Sequence, residues 1–431
     1  MMRTICCISF LLVLLASPAQ GQQRDTGAAV SFDSAQAIRG SLRQPPQNPP
    51  FDAADAAALP VRIVTFPLLL LSRGIAELGD VGAGLKGSFA NVFGPNRIGL
   101  SVLVGTIGPS SGIGAGLRFV GLDPVFVETS FSIFGSQRHR IGVLLTDGDG
   151  RLEGAYMFQR NRRVRFWGIG PATSEESETD FGLDISDAAV DGELGVLPGA
   201  IELTAGVAFE DDRAGRGSND QVLDLQDAVT GDTLFGLRER VNYLRFKLGA
   251  ELDLTHTVAG LQRRGLFLQG TSWFFRGVDG TDSDFHRLRG GVAGYLPLNL
   301  RQSLAVRLLA ETNRRDGGHG IPFFRLASVG AEDGSRAFPA GRFRGRDMAA
   351  LMMEWRYEVW RELHGRGRAE GFVFFDDGGA EHTLSDLDWV DLHESYGFGL
   401  RGIWQGQLRA LTYLAFGSEG TRLQAAFSWT Y

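Results

Sequence analysis

The sequence predicts an all-β chain, a 16-stranded transmembrane antiparallel β-barrel with a short amphipathic helix in front of it. Three observations point there. Apolar and polar side chains alternate with a period of two over many segments. No run beyond residue 21 approaches the roughly 18–20 apolar residues that a spanning helix needs; the greasiest, Ile63 to Leu71, is interrupted by Pro67. The chain closes on an alternating stretch, Thr421 to Tyr431, that ends on an aromatic ring. The 59 glycines and 30 phenylalanines suit one large sheet better than several soluble domains.

Taken from the N-terminus, Met1-Met2-Arg3, the apolar run Ile5 to Ala16 and Ser17-Pro18-Ala19-Gln20-Gly21 have the three parts of a secretory signal peptide, residues 1–21. Cys6 and Cys7 both fall inside it, so the mature chain is expected to lack disulfides, a thiolate nucleophile and cysteine metal ligands. The formal charge of −7 argues against a nucleic-acid partner. The 41 arginines stand against Lys86 and Lys247 alone, a bias that reads as base composition rather than function.

Residues 22–58, with Pro45-Pro46-Gln47-Asn48-Pro49-Pro50, lack sustained periodicity and read as a disordered periplasmic leader. Residues 59–97 read as a helix and linker: after Pro67, the apolar residues Leu68, Leu71, Ile75 and Leu78 recur at spacings of three and four. Such a helix either packs as a plug or lies on the membrane surface.

The barrel is assigned to residues 98–431. In its last strand Leu423, Ala425, Phe427, Trp429 and Tyr431 alternate with Arg422, Gln424, Ser428 and Thr430. This places one row against lipid and the other toward a wet lumen. Leu423, Phe427, Trp429 and Tyr431 are the expected insertion signal, read by the machinery that assembles barrels. Leu351, Met353, Trp355, Tyr357 and Val359 alternate in the same way with Glu354, Arg356 and Glu358. Charges between two apolar layers would be costly in a soluble sandwich, and a polar lumen removes that cost. Counting strands from Ile113 puts long loops and tight turns on one side. Counting from Ile98 separates them: 147–150, 196–199 and 298–300 face one way, and 168–178, 211–238 and 313–346 the other. Sixteen strands then leave both ends of the barrel in the periplasm.

Three charged positions stand out: Arg344 in the longest loop, and Glu354 and Asp376 on neighbouring strands, both facing the lumen by alternation. An inward-folded loop would let an arginine fork bond both carboxylates. The stretches Phe343-Arg344-Gly345-Arg346, Met353-Glu354-Trp355-Arg356-Tyr357, Phe374-Phe375-Asp376-Asp377-Gly378 and Tyr396-Gly397-Phe398-Gly399-Leu400-Arg401 resemble the C-terminal barrel of the bacterial surface-antigen superfamily, the BamA- and TamA-like assembly factors. Arg165-Phe166-Trp167-Gly168-Ile169-Gly170 resembles that family's Phe-x-Gly-x-Gly segment. The resemblance implies an inward loop whose Val-Arg-Gly-Phe/Tyr arginine pairs with acids on strands 12 and 13. Carried over by motif, Arg344 and Gly345 match the loop pair, Glu354 the first acid and Asp376 the second. Phe343 and Arg346 depart from the motif, which has a β-branched residue and an aromatic there. The family's periplasmic POTRA modules have no room in residues 22–97, so the likeness is to barrel-only members.

Neither a cofactor nor a metal is expected. Gly112-Ile113-Gly114-Ala115-Gly116 reads as glycine-rich strand rather than a nucleotide loop, because alternation continues on both sides. His382, Asp386, Asp388, Asp391 and His393 crowd one loop and read as a solvated acidic tip more readily than a cation site. The functional expectation is an integral outer-membrane barrel, in contact with outer-membrane lipid, that inserts or translocates a protein or lipid substrate. A passive pore with an arginine-rich lumen and, more remotely, a wall-embedded hydrolase are the alternatives; alternation yields no Ser/His/acid set for the latter.

Overall fold

The computed structural model describes residues 89–93 and 100–427, apart from 106, 109, 123, 198, 230–233, 259–261, 279, 281–282, 317–319, 363–366, 388–391 and 405–406. The predicted signal peptide, the leader, the helix carrying Leu68, Leu71, Ile75 and Leu78, and the terminal Trp429 and Tyr431 lie outside the described residues, as does the side chain of Phe427.

One antiparallel meander makes the wall. It runs through β1 (Phe89–Phe93), β2 (Leu100–Gly105), β3 (Gly114–Leu122), β4 (Val125–Ser132), β5 (Gln137–Asp147), β6 (Gly150–Phe166), β7 (Thr179–Leu197) and β8 (Ile201–Arg216). After the two-residue β9 (Leu223–Asp224) follow β10 (Arg240–Asp253), the short β11 (His256–Val258), β12 (Gln262–Gly277), β13 (Phe285–Pro297) and β14 (Gln302–Arg315). The hairpin strands β15 (Ala327–Val329) and β16 (Phe343–Gly345) precede β17 (Asp347–Arg361), β18 (Gly367–Glu381), β19 (His393–Trp404), β20 (Gln407–Gly417) and β21 (Gly420–Phe427). Leaving aside β1 and the short β9, β11, β15 and β16, the wall has the sixteen predicted strands, and the fold is a transmembrane antiparallel barrel.

Side-chain exposure is inverted relative to a soluble protein. Leu248 and Tyr396 are both 58% exposed, and Phe209, Phe246, Phe398 and Leu400 are also exposed, whereas Glu354, Arg356 and Arg401 are buried. Alternation along each strand produces this arrangement, and it is stable where lipid meets the apolar face and charge finds partners inside.

Two boundaries differ from expectation. The predicted linker 59–97 contains a strand: Phe89 to Phe93 pairs antiparallel with Gly105 to Val102. Phe89-Ala90-Asn91-Val92-Phe93 is short, and its ring-and-valine composition favours extended backbone wherever a sheet edge is offered. Phe89 therefore stands opposite Gly105 at the long-loop end of β2, and the described chain enters the sheet from that end. Strand β8 also runs six residues into the expected loop 211–238, because its hydrogen-bonded pairing with β7 continues to Arg216.

The long links 167–178, 217–239 and 316–346 all leave the same end of the wall, as parity requires. The last of these folds back into the barrel. Its β15–β16 hairpin, with Phe338, packs against Leu309, Met348, Met352 and Ala380 on the lumenal faces of β14, β17 and β18. Its Phe323 enters a second apolar cluster with Val164, Phe166, Phe181, Ala214, Leu225 and Leu237.

Candidate functional site

The inward loop is pinned by arginines at separated points. Arg336 sits deepest. Its Nε and Nη2 donate to the two oxygens of Asp376 at 2.7 and 2.6 Å, and its Nη1 donates to Glu354 Oε1 at 2.6 Å. The backbone N–H of the same residue adds a 3.2 Å bond to Asp376, and Ser395 Oγ donates another at 3.2 Å. The guanidinium lies 3.8 Å from the ring centroid of Phe374. On its far oxygen Glu354 accepts from Arg356 at 2.9 Å and Arg401 at 2.5 Å. Burial pulls the Arg336 guanidinium toward deprotonation, but the carboxylates of Asp376 and Glu354 outweigh it and hold its pKa above the usual arginine value.

Arg325 makes a second anchor against the opposite wall, donating to Asp212 at 2.6 Å and Glu210 at 2.7 Å on β8. Asp333 of the loop accepts from Arg289 of β13 at 2.7 Å. A third anchor, Arg342, donates to Glu419 in the β20–β21 turn at 2.9 and 2.5 Å, and to the hydroxyl and carbonyl of Thr173 at 2.7 Å each. One loop thus touches β8, β13, β17, β18 and two other loop-side turns, which requires the sheet to curl around it.

Sequence reasoning selected both acids but a different arginine. Glu354 and Asp376 are brought together on adjacent strands, and the arginine between them is Arg336 rather than Arg344. The reason is local: Ser335-Arg336-Ala337-Phe338 keeps the arginine, small residue and aromatic order of the loop motif, and Phe338 is the ring that packs beneath the hairpin. The aromatic missing after Arg344 was the available signal. Arg344 instead lies in β16, where its carbonyl accepts from the Gly170 N–H at 2.7 Å. That bond joins the loop to the segment Trp167–Gly170. Gly345 has its own role, since a Cβ there would run into the backbone of Ala380 and Glu381.

Of the crowded acidic loop, His393 is taken up by packing, stacked on Phe343 with centroids 3.4 Å apart. Asp388 and Asp391 lie outside the described residues, and no metal-binding group of three His, Cys, Asp or Glu occurs among the described ones. On the lipid-facing side Ser272 Oγ lies 2.7 Å from His286 Nε2, with no carboxylate bonding that ring among the described residues. Of the predicted insertion signal, Leu423 is exposed on the outer face.

Solved structures share this architecture. The chain is similar to BamA from Haemophilus ducreyi lacking POTRA domains 1-3, at 14% identity and a TM-score of 0.53, over 93% of this chain and 82% of that one. It also aligns with CdiB from Escherichia coli, at 14% identity and a TM-score of 0.47, over 75% of this chain and 59% of that one. No family model and no curated protein matches the sequence. The barrel is BamA-like in fold.

Proposed function

We propose that this BamA-like barrel is an integral outer-membrane conduit, closed at rest by its own loop, that inserts or translocates a protein or lipid substrate rather than serving as a passive pore. The observation that carries this reading is Arg336, which fixes the loop to two acids inside the wall. A loop buried with three separately paired arginines blocks the lumen at rest, and such a plug has to move before anything large can pass. The short turns face the periplasm, and the wall contacts outer-membrane lipid.

Purified mature protein in a planar bilayer tests the idea. Wild type should stay mostly closed, and Arg336→Ala should raise open probability at least about tenfold, since removing one partner of a buried pair costs more than the ~1.4 kcal/mol that factor represents. A steady, large conductance in wild type would instead favour the passive pore. Insertion or translocation itself is then read from vesicles holding the protein: accelerated folding of a second barrel, or passage of an exported chain, with loss of either when the loop is crosslinked to β18 through cysteines at 336 and 376.

A further inference from the structure

Arg325, Arg336 and Arg342 each meet a carboxylate, but Arg344 does not. It is 8% exposed, and its Nε has no hydrogen-bond partner among the described residues. None of the described acids pairs with it. Gly341 Cα lies so close that a Cβ there would stand 2.8 Å from Arg344 Nη2, and the Phe166 ring lies 6.0 Å from the guanidinium carbon. Directly across the hairpin stands Ser328, on the same face in register with Arg344. Opposed side chains in an antiparallel pair lie within ~4.5–5.5 Å at Cβ, and the Ser328 hydroxyl has no bond within the described residues.

We infer that Arg344 and Ser328 form a site for a phosphate-class oxyanion at the junction of the inward loop with the Trp167–Gly170 segment. A buried, uncompensated cation is among the costliest things a fold can hold, and native structures resolve such cases with a counter-ion or ordered solvent. The guanidinium fork offers several donors in a plane and the serine adds one, which suits a tetrahedral anion with oxygens to spare better than a two-oxygen carboxylate. Burial alone pushes the Arg344 pKa down to about 10, and an anion would remove that penalty. Because Arg344 also holds Gly170 through its backbone, occupancy would stiffen the joint between two loop-side segments.

The test uses full-length mature protein, extracted into detergent and checked for folding by heat-modifiable migration. Wild type stripped of lipid and dialysed should broaden the phosphorus resonance of added inorganic phosphate. Arg344→Met should abolish this, Ser328→Ala should weaken binding roughly tenfold or less, as expected for one hydrogen bond, and Arg344→Lys should retain part of it. Phosphorus that stays with wild type through dialysis but leaves on lipid extraction, and is absent from Arg344→Met, would assign the same site to a lipid headgroup. The inference is overturned if stripped wild type neither retains phosphorus nor broadens the signal, if folded Arg344→Met binds as wild type does, or if acetate binds in preference to phosphate.

Discussion

The two halves of the lumen use the same residue types in different ways. From β3 to β7, acids and bases pair from strand to strand: Arg118 with Glu128 at 3.3 Å, Arg140 with Glu153, and Arg151 with Glu193 at 3.4 Å. These side chains remain 11–27% exposed. From β8 to β19 the loop adds partners to the strand-to-strand pairs, and Arg336, Glu354 and Asp376 are only 0–8% exposed. A half-wet pair exchanges protein contacts for water at little net gain, whereas a dry pair cannot lose one member without stranding the other. Charge on the β3–β7 wall thus keeps a lumen soluble, and on the other wall it fixes the position of a plug.

The sharpest way to break that comparison is at Glu354, which serves three guanidinium groups at once. Glu354→Gln should destabilise the barrel by about 3–5 kcal/mol, because Arg336, Arg356 and Arg401 then face one another with a neutral amide between them. Urea unfolding in lipid vesicles, followed by tryptophan fluorescence, measures it; a cost under about 1 kcal/mol would mean water reaches this cluster as freely as it reaches the β3–β7 wall. Phe338→Ala isolates the apolar part of the anchor. Phe338 is fully buried, edge-on to Phe343 at 5.1 Å, so its truncation should cost about 3 kcal/mol and expose the loop to external protease while leaving the ion pairs chemically intact.

On the β3–β7 wall the expectation is small. Arg140→Ala should change stability by no more than about 1 kcal/mol, and half of that or less in high salt, because Arg140 keeps 27% of its surface and its pair is screened. A loss comparable to that at Glu354 would erase the distinction between the walls.

Much of this was legible in the sequence. Period-two alternation located the strands, parity separated short turns from long loops, and alternation alone turned Glu354 and Asp376 inward. What stayed hidden was which loop residue reaches them. A loop's path depends on packing rather than period, and the loop holds a second arginine-bearing stretch, Ser335–Phe338, besides the Arg342–Arg346 stretch to which the latch was assigned. A usable clue lay in the wall. Met348, Ala350 and Met352 occupy lumenal positions where a wet lumen calls for polar side chains, and Ala350 and Met352 are almost fully buried. Apolar residues on the inner face of a barrel say that something dry covers them, and the loop supplies two dry rings, Phe338 and Phe343. Strand β1 was missed because five residues give alternation too little length to rise above a linker.

The smallest expected effect is a null one, and it separates the two arginines. The partners of Arg336 raise its pKa, so its stabilising contribution is fully present below the unfolded arginine value and is lost only above it. Arg344 behaves oppositely. Burial lowers its pKa to about 10, so above that pH the unfolded chain binds more protons than the folded one and Arg344 adds stability as pH rises. Up to about pH 10 neither group changes its charge in a way that favours opening. Closed-state conductance should therefore stay flat, within about twofold, from about pH 7 to about pH 10. If openings climbed steadily through that window, a group other than these arginines would be holding the loop, and the partition of the lumen into a wet wall and a dry anchor would have to be redrawn around it.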